Sequence, residues 1–461
     1  MRVLFPLLVL VFSAAAAGAR PIHEPVGSLG QSVCADCVLH HIDALSASDF
    51  NGRGCASVDE SRAAQYLGRE LQSAGAVAAF GPDFIQTVPL TGKVYASPPV
   101  LQVGATKLTW ASDVISPDFV EPFEGRLVRV TSRGAVGADL KGALVFYDPE
   151  GPGDPAQIRS LRADAAAVIV AAPPELLDAW DSVAGAPPGR SLADGQPALA
   201  IPRGASAIYA RPDAVARLRT EESGASVRLE AAMTPYEGAT HNVVGVVRGT
   251  DPDADRNAIL LSAHYDHLGR MGGKLYPGAN DDASGTAAVL EFARIIGKGP
   301  RPRRTVYFAL FGCEEQGGFG ATWFRAHPAG GDLRSIAANI EFEMVGFPDP
   351  KRPEALMVTG WERSNLGPTL AVHGAKVGPD LYPEGYFFQR SDNYALALKG
   401  VVAHTISAWP TPPTYHQPTD TFQSLDKVFL TRMVASLAPS IVWLANSDFR
   451  PAWNPGGAPG Q

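Results

Sequence analysis

The chain has little charge, little cysteine and, beyond its first residues, no long apolar run. Charged residues make up 19% of the 461 positions, and the formal net charge is −8. A nucleic-acid surface needs a basic excess, so that class of partner is set aside. The apolar run Val3–Phe12 is too short to span a bilayer comfortably. It follows Arg2 and precedes Ala17-Gly18-Ala19, the order of a secretory signal cut ahead of Arg20. No cysteine follows those small residues, which excludes a lipoprotein site there. A secreted or periplasmic protein is expected, with no membrane span after cleavage.

There are only four cysteines. Cys34-Ala35-Asp36-Cys37 is followed by Val38 rather than His, which excludes a haem attachment site. It also lacks a second cysteine pair. In an oxidising compartment a disulfide among Cys34, Cys37 and Cys55 is favoured over a structural metal with His40 and His41. Cys313 lies in an apolar run and is expected to be a buried free thiol.

What is present is an ordinary globular composition, 46% hydrophobic, with length enough for two domains and tails. Ser57-Val58-Asp59-Glu60 has capping-box spacing, and Ala63, Ala64, Leu67 and Leu71 follow on one helical face up to Gly75. From about Thr109 to Tyr236 short β-rich runs dominate, including Arg126–Val130, Ala143–Tyr147 and Ala165–Ala171. After His241, strands (Asn242–Val247, Ala258–Ala263, Thr305–Phe311) alternate with a helix beginning at Ser284. That alternation predicts an α/β fold, with a mixed, mostly parallel central sheet flanked by helices. The expected organisation is a signal at 1–19, a main domain from 20–108 and 236–448, an insert at 109–235 and a disordered tail at 449–461.

The chemistry concentrates between Leu260 and Phe319. His264-Tyr265-Asp266-His267 follows one apolar strand, and Glu314-Glu315 follows another. Asn280-Asp281-Asp282 lies in a loop ahead of a helix. In open α/β sheets the site forms beyond the carboxyl ends of the strands, so three distant segments bring carboxylates and imidazoles to one rim. Such groups suit borderline metals. Asp281 has two oxygens with which to bridge a metal pair. Asp266 is placed to orient His264. One of the two glutamates can bind metal while its neighbour takes a proton from water. Glu343 ends a further strand. Tyr415-His416 lies in a polar loop, where His416 would be a last ligand and Tyr415 an oxyanion donor. His267 is read as an orienting residue, Asp392 as support near the substrate pocket, and His327, His373 and His404 as structural or surface residues.

Taken in order, His264-Tyr265-Asp266, Gly278-Ala279-Asn280-Asp281-Asp282-Ala283-Ser284-Gly285, Glu314-Glu315, Glu343-Met344-Val345-Gly346 and Tyr415-His416 with Pro418, Asp420 and Thr421 resemble the secreted dinuclear zinc aminopeptidases of bacterial leucyl-aminopeptidase type. The resemblance covers roughly Leu39 to Leu108 and Thr240 to Ala445. It implies two Zn2+ per chain. His264 and Glu343 would hold one side of the pair and Glu315 and His416 the other, with Asp281 between them. It makes Glu314 the general base. Many such relatives have Asp where this chain has Glu343, which is one methylene longer. The middle segment around Arg162–Val170 resembles a protease-associated domain. The implied reaction is hydrolysis of the first peptide bond of a peptide or protein with a free N-terminus. Glutaminyl-peptide cyclotransferases and carboxypeptidases share the fold and are the alternatives. A cyclotransferase typically lacks the full ligand set, and a receptor-like relative would have lost ligands.

Overall fold

The computed structural model describes residues 33–460, apart from 117–118, 132–138, 150–152, 179, 186–188 and 197–206. The expected signal at 1–19 lies outside the described residues. The main body is organised on a ten-stranded mixed sheet. At its centre Val306–Phe311, Ala258–His264, Ile336–Glu343 and Val402–Ser407 run parallel to one another. The first two are buried at every position, as strands with a layer on each face must be. Antiparallel pairings flank this centre, through Met233–Val247 on one side and Leu356–Val358 on the other.

Helices cover both faces. On one, Ala35–Ser46, Val58–Ser73, Gly285–Lys298 and Lys427–Asn446 bury Leu45, Leu67, Phe292 and Leu437 against Leu261, Phe308 and Ile340. On the other, Phe319–Ala326 and Asn393–Ala397 bury Phe324 and Leu396 against Leu260 and Tyr307. Successive strand residues point to opposite faces, so each strand feeds both layers. The Val58–Ser73 helix starts as its sequence requires. Ser57 Oγ accepts from the Glu60 amide at 3.1 Å, satisfying an otherwise orphaned donor. Past its end, Gly75 has φ +96, and a Cβ there would sit 2.8 Å from the Gly297 carbonyl oxygen. The Lys427–Asn446 helix is long and apolar enough to cross a membrane by length and composition, unlike the expectation of no such run. Its Leu430, Met433, Leu437, Ile441 and Leu444 are buried in the core.

A second, eight-stranded sheet runs from Val100 to Glu230, so it begins upstream of the expected 109. The Val100–Val103 and Thr106–Thr109 hairpin belongs to it because Val100–Val103 pairs with Ser226–Glu230. Helices Pro155–Asp164 and Pro212–Leu218 accompany these strands. Two long antiparallel strands, Ile85–Tyr95 and Met233–Val247, join the two sheets. One piece of the inserted sequence returns to the main sheet: Arg190–Leu192 pairs with Thr91 and its neighbours at the edge.

Two sequence expectations are corrected. Cys313 is not a free thiol: it is bonded to Cys55, with Cα atoms 4.7 Å apart, while Cys34 is bonded to Cys37. A separation of 258 residues hid the partner. Residues 449–460 are not a disordered tail. Trp453 lies against Phe388 and His404, its Nε1 donates to the Gly400 carbonyl at 3.1 Å, and the Asn365 amide donates to Ala452. An indole provides enough apolar area to anchor a segment that otherwise reads as Pro/Gly-rich.

Candidate metal centre

The carboxyl ends of the parallel strands deliver the groups. His264 ends one strand, Glu343 ends its neighbour, and Glu314-Glu315 follow a third. Asp281 comes from the turn Ala279–Ser284 that leads into the Gly285–Lys298 helix. His416 comes from the loop after Val402–Ser407. All five expected ligands converge. Asp281 is the hinge of the arrangement, since its two oxygens face different partners. Oδ1 lies 3.2 Å from His264 Nε2, and Oδ2 lies 3.2 Å from His416 Nε2. Glu343 Oε1 is 4.0 Å from His264 Nε2, and Glu315 Oε2 is 3.2 Å from His416 Nε2.

His267 stands closer to this cluster than its reading as an orienting residue requires. Its Nδ1 is 2.8 Å from Glu315 Oε1 and 3.9 Å from Asp281 Oδ2, and with those two it forms a second ligand-capable group beside His264–Asp281–Glu343. His416 approaches both carboxylates at 3.2 Å, whereas His267 reaches only Glu315 that closely. The immediate sequence, a second His three residues after the first, was the available signal.

Asp266 is fully buried behind the cluster. Its Oδ1 accepts from the Glu314 amide at 2.9 Å, and Oδ1 is 3.7 Å from His264 Nδ1. It therefore anchors the backbone carrying the glutamates while facing the imidazole. Further buried groups, to which the sequence reading gave no role, shape the loops. Asp420 accepts from the Asn280 and Asp281 amides at 2.9 and 3.1 Å. Asp282 Oδ1 accepts from the Gly285 and Met344 amides at 2.8 and 3.1 Å. Arg53, wholly buried, donates to the carbonyls of Leu45, Tyr265, Pro277 and Gly278. Asp282 and Asp420 stand within the motifs quoted above, whereas Arg53 has no motif to betray it.

The electrostatics are those of a carboxylate excess. Burial, then the charge of Asp281, pushes Glu343 up to about 7. Burial also raises Glu314 well above the usual carboxylate range, reinforced by Asp392, Glu315 and Glu343 against the opposing pull of His264. Burial works against a charge on His416, yet Glu315, Tyr415 and Asp281 lift its pKa well above the usual imidazole range. Glu315, which burial would raise, is held down at about 2 chiefly by His416. Clustered negative groups of this kind call for compensating cations. The residues fit a bound metal by a second test: His264 Nε2, the ring nitrogen that faces Asp281 and Glu343, is buried without a hydrogen bond to either.

Tyr415 stacks on His416 with ring centroids 3.9 Å apart, and its hydroxyl accepts from Arg390 Nη2 at 3.5 Å. A cavity of about 30 Å³ beside the cluster is lined by Glu343, Met344, Met357, Phe387, Arg390 and Tyr415, among others. In the run Tyr386-Phe387-Phe388, Phe387 faces that cavity, Phe388 is core and Tyr386 is exposed. Asp392 is fully buried and makes no hydrogen bond through either oxygen. His404 is structural: it meets Ser364 Oγ at 2.7 Å and the Thr359 carbonyl at 2.8 Å. His327 and His373 stack on Trp323 and Trp443.

The chain is 25% identical over 247 residues to the probable lipoprotein aminopeptidase LpqL of Mycobacterium tuberculosis, covering 46% of this chain and 47% of that protein. It is 37% identical over 116 residues to a probable zinc metalloprotease of Leptosphaeria maculans, covering 24% of this chain and 25% of that one. The chain thus spans half or less of the length of these curated relatives. The fold is that of an aminopeptidase from Aneurinibacillus sp. strain AM-1, with a TM-score of 0.63 at 21% identity, over 92% of this chain and 96% of that one. Residues 242–440 match the sequence profile of peptidase family M28. That segment contains every ligand-capable residue gathered around Asp281, so the family likeness and the candidate centre fall on the same part of the chain.

Proposed function

We propose that the chain is a secreted or periplasmic zinc aminopeptidase that removes N-terminal residues from peptides or proteins. The observation that carries this reading is Asp281, which offers one oxygen to the His264–Glu343 side and the other to the Glu315–His416 side. In this reading His264, Asp281 and Glu343 hold one Zn2+, and Asp281, Glu315 and His416 hold the second. Bound zinc would supply a water acidic enough to attack at neutral pH and would polarise the scissile carbonyl. The chain's own residues do the rest. Glu314 takes the proton of the attacking water and returns it to the leaving amine. Tyr415 donates to the oxyanion that develops on the carbonyl. Asp266 keeps His264 and the Glu314 amide in register, and His267 orients Glu315. The two disulfides suit an oxidising compartment. The inserted sheet is read as a protease-associated domain.

The direct test is mass spectrometry of a peptide pool incubated with the zinc-loaded protein. The pool contains peptides with free N-termini, acetylated N-termini and N-terminal Gln. Stepwise shortening of the free peptides alone, abolished by a chelator, is the expected result. Loss of ammonia from the Gln peptides without shortening would make the protein a cyclotransferase. Shortening from the other end would make it a carboxypeptidase. Tyr415→Phe is expected to lower kcat by about 10²- to 10³-fold, as loss of an oxyanion donor does, with KM nearly unchanged in steady-state kinetics. An equal rise in KM at constant kcat would instead make Tyr415 a substrate-binding group.

A further inference from the structure

The inserted sequence reaches the segment that carries the two glutamates. Its Arg190–Leu192 strand lies against the edge of the main sheet, with Arg190 opposite Gly92. A Cβ on Gly92 would collide with the Gly189 carbonyl, so the two backbones meet directly there. Arg190 then projects inward. Its Nη1 donates to Gln316 Oε1 at 3.2 Å and to the Cys55 carbonyl at 3.4 Å. Its guanidinium stacks over the Tyr236 ring, 4.4 Å from the centroid.

These contacts sit at one end of a short, doubly anchored segment. Cys313, immediately before Glu314, is bonded to Cys55. Gln316, immediately after Glu315, is held by Arg190, which also grips Cys55. Both anchors therefore close on the same residue. The turn between them is compact: the Gly317 and Gly318 amides both donate to the Glu314 carbonyl at 2.9 Å. Beneath it, the buried Glu60 accepts from the Ala56 amide at 2.8 Å and from Thr240 Oγ1 at 2.6 Å, fixing the Cys55 side of the clamp. A planar guanidinium suits this task because it bridges two acceptors and stacks on a ring at once.

We infer that Arg190 is a positioning residue for Glu314 and Glu315, so that the insert completes the centre rather than only shielding it. Arg190 acts through Gln316 and Cys55. For its catalytic consequence the inference rests on the proposed function. Its consequence for metal retention and for the motion of the segment does not depend on which bond is cleaved.

The test uses the full mature protein with Arg190→Met, Arg190→Lys, Gln316→Ala and the Arg190→Met/Gln316→Ala double variant. Groups that orient metal ligands typically change metal affinity or activity by 10- to 100-fold. In Arg190→Met, zinc release to a competing chelator should therefore be about tenfold more complete and kcat about tenfold lower, with KM within about twofold. Amide exchange across Glu314–Gly318 in metal-free protein should rise by a similar factor. Arg190→Lys should recover part of each effect, and the double variant should be no worse than Arg190→Met. A lowered melting temperature with unchanged zinc release, exchange and kcat would make Arg190 a mere brace for the insert and overturn the inference. If Arg190→Met does not fold, Gln316→Ala decides alone, from the partner side. A wild-type protein inactive on every peptide would sink the proposed function, while unchanged zinc release and exchange in the variants would sink this one.

Discussion

Glu314→Gln is expected to lower kcat by about 10²- to 10⁴-fold, the range a positioned general base contributes. The substitution keeps shape and volume and removes only the proton acceptor. Glu314 belongs to neither ligand-capable group around Asp281, so zinc content should stay at the wild-type level. Its position is set independently of its side chain, because the Glu314 amide donates to Asp266 Oδ1 at 2.9 Å. The variant should thus fold, bind zinc and bind substrate with little change in KM. Its neighbour behaves differently. Glu315 Oε1 and Oε2 lie 2.8 and 3.2 Å from His267 and His416, so Glu315→Gln should lose metal as well as rate. Kinetics combined with zinc quantification separates the two. A Glu314→Gln protein that keeps a third or more of wild-type kcat would end the assignment of Glu314 as the base.

Arg53→Met should cost about 3–5 kcal/mol of stability, the usual consequence of removing one partner from a buried charge network. Arg53 has no exposed surface. Its Nε and Nη1 donate at 2.6 Å to the Tyr265 and Leu45 carbonyls, and Nη1 and Nη2 donate at 2.8 Å to Pro277 and Gly278. The Tyr265 carbonyl lies within His264–Asp266, those of Pro277 and Gly278 precede the Asp281 turn, and that of Leu45 belongs to the Ala35–Ser46 helix. One guanidinium therefore holds together the two loops that supply His264 and Asp281, and its charge faces Asp266, Asp420, Asp281 and Asp282. Burial depresses its pKa to about 10, which still leaves it charged at neutral pH. Methionine would leave the four carbonyls unsatisfied and the acidic groups uncompensated. Arg53→Lys should fall between the two, since it keeps the charge but not the fork. Denaturant unfolding of metal-free protein gives the comparison, and a loss below about 1 kcal/mol for methionine would refute this account.

Legibility tracked how local the physical cause was. His264, Asp266, Glu314 and Glu315 could be read because buried strands announce themselves as apolar runs, and a polar group at the end of such a run must lie at the sheet rim. The Val58–Ser73 helix and its Ser57 cap were readable for the same reason, since cap, face and stop lie within one helix. Glu343 and His416 were weaker readings residue by residue, and only the motif set as a whole singled them out. Arg53 and Arg190 left no local trace, because the contacts that tie each one to the site are with residues far away in the chain, Tyr265 and Gly278 for Arg53 and Gln316 and Cys55 for Arg190.

From the order of its strands and the residues at their ends, the chain itself determined an α/β sheet with an acidic, imidazole-bearing rim. Short-range periodicity and strand direction suffice for that. Tertiary structure alone decided that Cys313 pairs with Cys55, that Trp453 ties residues 449–460 to the body, and that Arg190 returns from the insert to grip Gln316. Each of these depends on which surfaces meet when the layers close. Contacts of that kind are specified by packing and hydrogen-bond satisfaction across the whole core, and no window of the sequence contains both partners.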